Sequence, residues 1–478
     1  MSSILGRFLN YLLVSIYTRI FIPAEYGIIT ELYAYVSFLN IILTYGMETG
    51  YFRFYENQTN GKKVYTTTLT SLFATSSLFV FLIAFFAQPI ANLLDYADQK
   101  EYIIWFAFII GLDAITAIPF AKLRQQNKAL KFALLKFAGI GLTIAFNLFF
   151  LVFCPYLLKR NPASFINYFY SIEIGVGYVF LANLIASAFT FLFLLPEIFE
   201  FKFDFDFKLL KKMLIYSLPL LVAGLAGMVN ETLDRLLLKE YLPKSFNAMA
   251  QIGIYGANYK IAILMTLFIQ MFRYAAEPFF FAQAKESKSR VVYADVMKYF
   301  IIFGLIIFLG VMLYIDIIKY FIGSNYWIGL KIVPIILMAN LFLGIFFNLS
   351  IWYKLTNQTK FGAYLAIFGA IITVIFNILL IPEIGYLGSA WATFICYFLM
   401  MIASYFLGQK YFYVKYDLKR IFEYIGLALA IYFCSTFISS KSLILTIIIN
   451  TVLFSIFMYF VFEKEKLKRY FSFLKNKN

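Results

Sequence analysis

From Arg124 the chain reads RQQNKALKFALLKFAGIGLTIAFNLFF, and from Lys354 it reads KLTNQTKFGAYLAIFGAIITVIFNILL. At a constant offset of 230 residues, Asn127, Ala133, Gly139, Thr143, Phe146 and Asn147 meet Asn357, Ala363, Gly369, Thr373, Phe376 and Asn377. Both stretches are apolar and long enough to cross a bilayer, so the simplest reading is two homologous membrane bundles. Repeated halves around a midplane site are a recurring design of secondary transporters, because rocking one half against the other opens the site to alternate sides. The repeat points to transport before any motif does.

Outward from that pair, the composition agrees. Of 478 residues 63% are hydrophobic and 14% charged, more apolar surface than a soluble core of that length hides. A helix needs about 20 apolar residues to cross the hydrocarbon. Fourteen stretches qualify: 4–21, 28–55, 66–87, 101–122, 131–154, 170–195, 213–238, 252–280, 293–321, 330–353, 361–381, 386–408, 421–438 and 443–462. Runs of this length without alternation exclude a β-barrel. The expected fold is therefore all-α and polytopic, with fourteen transmembrane helices: a six-helix lobe over 1–196, a cytoplasmic linker over 197–212, a second six-helix lobe over 213–408, and two additional helices with a basic tail over 409–478. In the linker, Phe199, Phe201, Phe203, Phe205 and Phe207 alternate with charged residues, a pattern suited to lying in the interface. The last two helices have no partner in the repeat and are expected to line a groove or a partner surface. The first span begins close to Met1 with no small-residue cleavage site behind it and reads as an uncleaved helix.

A net charge of +16 would suggest a polyanion partner in a soluble protein. Here its placement decides. With the N-terminus in the cytoplasm, 26 of the 41 basic residues fall in inner segments, 8 in outer ones and 7 within spans. That bias sets both termini inside by the positive-inside rule and removes nucleic acid as a partner. Cys154, Cys396 and Cys434 lie in or beside apolar spans without metal or redox spacing and read as packing residues. Histidine is absent, so the commonest metal ligand and general base are missing. Proton chemistry must run on carboxylates.

An ionisable residue inside a span is costly unless it faces a cavity or a partner. Ser217, Gly224, Gly227, Glu231 and Asp234 form one stripe of the seventh span, and Tyr259, Ala262, Thr266, Gln270, Arg273 and Glu277 one of the eighth. The first span offers Arg7, Asn10, Thr18 and Arg19, the second Tyr45, Glu48, Thr49 and Arg53. Arg19 recurs as Arg235 and Arg53 as Arg273 in matching contexts. Four polar faces, two per half, are what a central water-filled lumen requires. Plainer readings stand beside this one: Arg19 and Arg235 can snorkel to headgroups, Arg53 and Arg273 can anchor an inner face, and Lys260 can pair with Asp234 or Glu231. An arginine-lined cavity suits phosphate, because the guanidinium makes bidentate charged bonds and never deprotonates.

TRIFIPAEYG around Arg19, YGMETGYFRF at the end of the second span and NILLIPEIGYLGSAWAT between the eleventh and twelfth resemble the O-antigen type, Wzx-like polysaccharide flippases of the MOP superfamily. Those are related to the lipid II flippase and to the multidrug MATE exporters. The resemblance covers essentially the whole chain. It implies two six-helix lobes around a cationic lumen and alternating access. It also implies an undecaprenyl-diphosphate-linked oligosaccharide as substrate, turned across the bacterial cytoplasmic membrane for O-antigen, capsule or exopolysaccharide, with a polymerase and a chain-length regulator as partners. On this footing Arg19, Arg53, Arg235, Arg273, Lys260 and Glu48 are lumen residues, and Glu231, Asp234, Asn377 and Thr393 are candidates for coupling to Na+ or H+. Asp234, Asn377 and Thr393 match three ligands of a cation site found in some relatives. A further acid expected four residues after Asn377 is replaced by Ile381. No other cofactor and no catalysis are expected. A membrane polymerase would need a large outer loop; the longest here is about 20 residues. A MATE-like cation-coupled drug antiporter of the same fold, whose cavity would be acidic, remains the rival, and a scaffold protein would leave the paired intramembrane charges without a purpose.

Overall fold

Asn127 and Asn357, partners in the repeat, end their helices in the same way. Both take left-handed backbone, with φ of 55° and 57°, a region asparagine enters more readily than other residues with a side chain. The following amide then reaches back five residues, Lys128 N to Leu123 O at 2.9 Å and Gln358 N to Tyr353 O at 2.8 Å, the closure that satisfies the last carbonyls of a helix. The amides of Asn147 and Asn377 also match: each is buried and donates Nδ2 to the carbonyl one turn back, Thr143 and Thr373, at 2.7 Å. The repeat is thus conformational as well as textual.

The computed structural model describes residues 2–56, 61–161, 165–199, 204–284, 286, 289–438 and 442–465, with side chains from Leu9 onward except Asn10. The basic tail, the centre of the phenylalanine-alternating linker and the side chains of Arg7 and Asn10 lie outside the described residues. No strand occurs among the described residues. The first half contains α1 (Ser2–Ile20), α2 (Pro23–Thr44), α3 (Met47–Glu56), α4 (Gly61–Phe85), α5 (Ala87–Leu93), α6 (Lys100–Gln125), α7 (Ala129–Leu148), α8 (Cys154–Arg160), α9 (Gly177–Phe193) and α10 (Leu195–Phe199). There follow α11 (Phe207–Tyr241), α12 (Ala248–Ile261), α13 (Ile263–Gln283), α14 (Ser289–Met312), α15 (Ile315–Ile318) and α16 (Val333–Leu349). The chain closes with α17 (Ile351–Leu355), α18 (Lys360–Ile384), α19 (Tyr386–Tyr411), α20 (Leu418–Phe437) and α21 (Leu443–Lys464).

Among the described residues eleven helical stretches are long and apolar enough to span a membrane, with α2–α3, α7–α8 and α16–α17 each counted as one, and α12 with α13 make a twelfth if that pair is one span bent by 53°. The expected fourteen is not reached on that test, because the described apolar part of α1 and the whole of α9 are shorter. Side chains such as Phe81, Phe85 and Leu379 point outward, exposed, as lipid-facing positions must. The chain is a multi-pass membrane protein.

Two expected single spans are broken. The second turns at Tyr45 and Gly46, both with positive φ, where a Cβ on Gly46 would lie 2.8 Å from the Ser217 carbonyl of α11. The eighth bends at Ala262, where the hydrogen-bond ladder tightens to i−3 steps, Ala262 to Tyr259 and Met265 to Ala262, with no proline at the bend. The sixth is shorter than 170–195, because Gly175 (φ 47°) starts the helix late. The ninth ends at Met312 rather than 321.

Two compact units form, residues 1–239 with 247–253, and residues 240–246 with 254–478. By packing, therefore, most of α11 belongs with the first unit, although the repeat counts it as the start of the second half. Within the first unit, Met47, Tyr51, Val64, Leu72, Ile118 and Met213 make a buried core. Since lipid is as apolar as these side chains, close packing rather than water exclusion holds such helices together.

A charged cavity in the first unit

The first unit holds an open-sided cavity of about 790 Å³, within the range of sites for small ligands. Its chemistry comes from three helix faces at three- and four-residue steps. α6 contributes Asp113, Thr116, Phe120 and Arg124, α7 contributes Lys136, Gly139 and Thr143, and α9 contributes Asn183, Ser187 and Thr190. Ser37, Asn40 and Thr44 of α2 and Glu48 of α3 complete the polar lining.

Four ionisable groups line it: Glu48, Asp113, Arg124 and Lys136. Glu48 stands in the first turn of α3, where unpaired amides favour an acid, and its carboxylate binds the Arg124 guanidinium from the last turn of α6. That guanidinium also sits 5.1 Å from the Phe52 ring. Asp113 accepts a hydrogen bond from the Ser187 hydroxyl at 2.9 Å. Lys136 lies 3.9 Å above the Phe120 ring, in electrostatic range of Asp113, Glu48 and Arg124. Aromatic faces hold both cations without neutralising them. The cavity carries two positive and two negative charges, all on side chains at least partly exposed within it.

The second unit repeats part of this design at a different scale. Lys354 of α17 binds Glu277 of α13 at 2.7 Å, as Arg124 binds Glu48, and Arg273 stacks 3.9 Å over Phe347. The space between them is about 20 Å³, room for roughly one water. A separate groove of about 500 Å³ between α14, α16, α19 and α20 is wholly apolar in character, with Phe342, Phe398, Phe406 and Phe422 among its walls. The penultimate helix therefore does line a groove.

The remaining expected site residues lie as follows. Arg19 turns back on its own helix, donating to the Ser15 carbonyl at 3.0 Å. Arg53 stacks 4.1 Å over Tyr216. Arg235 binds Asp234 at 2.9 Å and the Glu231 carbonyl at 2.7 Å, so these three form one cluster, with the Glu231 side chain exposed. Lys260 stands two residues before the bend at Ala262. Thr393 donates to Ser389 O at 3.0 Å, and Asn377 keeps its Oδ1 without a partner among the described residues, as does Asn340 at both polar atoms. No group of three or more metal-ligating side chains occurs among the described residues.

A second charged cluster in the first unit joins α2, the end of α11 and the segment between α5 and α6. Lys239 lies 3.1 Å from Glu31 and 3.4 Å from Asp95, and donates to Leu94 O at 2.7 Å. Tyr96 donates to Glu31. Burial, and then the neighbouring Glu31 charge, pushes the Tyr96 phenol far above its usual range, so it stays a donor. Here α2 and the start of α12 touch backbone to backbone: a Cβ on Gly253 would fall 1.9 Å from Pro23 O, and one on Gly27 would fall 2.0 Å from Met249 O.

Residues 1–283 match the family described as polysaccharide biosynthesis protein. Among curated proteins none matches the chain in sequence. In structure the chain is similar to "Lipid II flippase MurJ, inward closed conformation", with TM-score 0.74, 16% identity, and 97% of this chain and 98% of that one covered. It is also similar to an inward-facing "multidrug resistance MATE family transporter of the MOP superfamily", with TM-score 0.65, 13% identity and coverage of 86% and 94%, and to a MATE in the straight conformation, with TM-score 0.62, 13% identity and coverage of 86% and 92%. At these identities the likeness establishes the fold.

Proposed function

As the chain belongs to the polysaccharide biosynthesis protein family and has the MOP flippase fold, we propose that it is a flippase for an undecaprenyl-diphosphate-linked oligosaccharide. It turns this lipid from the inner to the outer leaflet of the bacterial cytoplasmic membrane by alternating access, with both termini in the cytoplasm. The observation that carries the reading is the cavity of the first unit, where Arg124 and Lys136 stand among hydroxyl and amide side chains.

The polar parts of the substrate have counterparts in this cavity. The diphosphate suits the guanidinium fork and the ammonium. Sugar hydroxyls suit Asn40, Asn183, Ser187 and Thr190. Arg19, Arg53 and Arg235 in the first unit and Lys260 and Arg273 in the second are further cationic contacts for the substrate in this reading, with Glu231, Asp234, Asn377 and Thr393 as the coupling residues for Na+ or H+. With the cell interior negative, outward movement of the anion gains about 2.3 kcal/mol per charge per 100 mV. No covalent step is required, only unequal affinity for two conformations. Membrane partners in this reading are a polysaccharide polymerase and a chain-length regulator.

The test is transfer of a labelled lipid-linked oligosaccharide between leaflets of proteoliposomes. The native chain should expose the label on the second leaflet, and the Arg124→Ala/Lys136→Ala variant should lose at least about 90% of the rate, as the loss of one charge-assisted contact of about 1.5–3 kcal/mol implies. Equal rates in the two would remove the cavity from the mechanism.

A further inference from the structure

The cavity has no net charge although its ligand, on the reading above, is an anion. Arg124 is bound by Glu48, and Lys136 has Asp113 and Glu48 within electrostatic range. Glu48 occupies the guanidinium where phosphate oxygens would have to go, and Asp113 lines the same cavity beside it, bonded to Ser187 and within electrostatic range of Lys136. We propose that Glu48 and Asp113 are internal stand-ins for the diphosphate, holding Arg124 and Lys136 between turnovers and giving them up to the incoming headgroup. This rests on the assignment of the cavity to the headgroup.

The geometry supports exchange rather than permanent pairing. Glu48 and Arg124 are both well exposed to the cavity, at 44% and 41% of the side chain, so an anion can approach the guanidinium without unpacking a helix. Asp113 has an alternative partner in Ser187, 2.9 Å away, to retain when Lys136 leaves. Phe120 and Phe52 keep the two cations in position whichever anion they hold. Of the other lining elements, α2 brings Ser37, Asn40 and Thr44, α9 brings Asn183, Ser187 and Thr190, and α11 brings Met228, none of them charged. Tyr33 of α2 adds a titratable hydroxyl in electrostatic range of Asp113. The consequence is a defined sign. A carboxylate that competes with the ligand for a cation weakens binding, and it also empties the site for the next cycle. Neutralising it therefore tightens binding and slows release.

The experiment measures inorganic pyrophosphate binding by calorimetry to the full-length chain in nanodiscs, for the native protein, Glu48→Gln/Asp113→Asn and Arg124→Ala/Lys136→Ala, with unfolding midpoints recorded for each. The native chain should bind. The neutralised-acid variant should bind at least about fivefold tighter. Should the variant fail to fold, the single substitutions carry the same expected sign. Binding that is lost in the Arg124/Lys136 variant but unchanged or weakened when the acids are neutralised would overturn the stand-in role and leave the headgroup site standing. Binding absent from both the native and the neutralised-acid proteins, or unaffected by removing both cations, would overturn the headgroup site and the stand-in role together.

Discussion

Lys239 shows how much can depend on one side chain. Its ammonium is shared by Glu31, which is fully buried, by Asp95 and by the Leu94 carbonyl. Removing one partner from a buried ion pair strands the other charge, at a cost of about 3–5 kcal/mol. Lys239→Met should therefore lower the unfolding midpoint of the detergent-solubilised chain markedly, and adding Glu31→Gln should restore part of it. A midpoint unchanged by Lys239→Met would mean the cluster contributes nothing to stability. At this scale the sequence was informative where residues recur. Asn127 and Asn357, like Asn147 and Asn377, were legible as pairs because each does one local task twice, a left-handed cap or a buried amide bond to the preceding turn. Asp113 and Lys136 have no such echo: 230 residues on stand Leu343 and Ala366. Recurrence does not mark them, whereas as lone charges within apolar spans both stand out in the sequence.

At the scale of elements, contacts between helices follow from what small residues permit and what buried charges require. Gly253 and Gly27 let α2 and α12 meet backbone to backbone. Gly253→Leu cannot fit, because its Cβ would lie 1.9 Å from the Pro23 carbonyl unless the two helices separate, and overpacking of this kind costs about 1–3 kcal/mol. A disulfide engineered between α2 and the start of α12 should form readily in the otherwise native chain and poorly in the Gly253→Leu variant; equal yields would show that the helices do not need the glycine. At the other end of the chain, Glu465 ties α21 to α14 and α20 through Lys298 at 2.7 Å, Tyr424 at 2.6 Å and Arg420 at 3.3 Å. Burial alone raises this carboxyl, but the hydrogen bonds from Lys298 and Tyr424 and the charges of Lys298 and Arg420 outweigh it and bring it below the usual carboxylate range. A carboxylate depressed in the folded state lends stability above its unfolded pKa and loses it as pH falls through the folded value. Hydrogen-exchange protection of α20 and α21 should hold from about pH 8 to about 5 and fall only below about 4, while Glu465→Gln should show less protection at neutral pH. Protection already declining between about pH 8 and 6 would contradict this role.

At the scale of the whole molecule, fold class and repeat were readable because hydropathy and small-residue spacing are written along each helix. The cavity was not, because it depends on which faces α3, α6, α7 and α9 turn toward one another, and packing decides that. Arg124 illustrates the difference. In sequence it belongs to a basic inner loop; in the folded chain it holds Glu48 in the cavity. Glu48 stands out in sequence on the polar face of the second span and in the family resemblance; in the folded chain it lines the first unit's cavity, with a partner from a segment that reads as a topology signal. The unequal spaces beside the Glu48–Arg124 and Glu277–Lys354 pairs, about 790 Å³ against about 20 Å³, were likewise invisible in a repeat that treats the halves as equals. On the proposed function, the larger space takes the headgroup of the transported lipid. The measurement that bears most directly on that location is photocrosslinking of the full-length chain, in native membranes, with an undecaprenyl-diphosphate analogue that carries its reactive group beside the phosphates. Label on peptides of α3, α6 and α7, suppressed in the Arg124→Ala/Lys136→Ala variant, is the expected result. Label confined to lipid-facing helices, or unaltered by that variant, would contradict it.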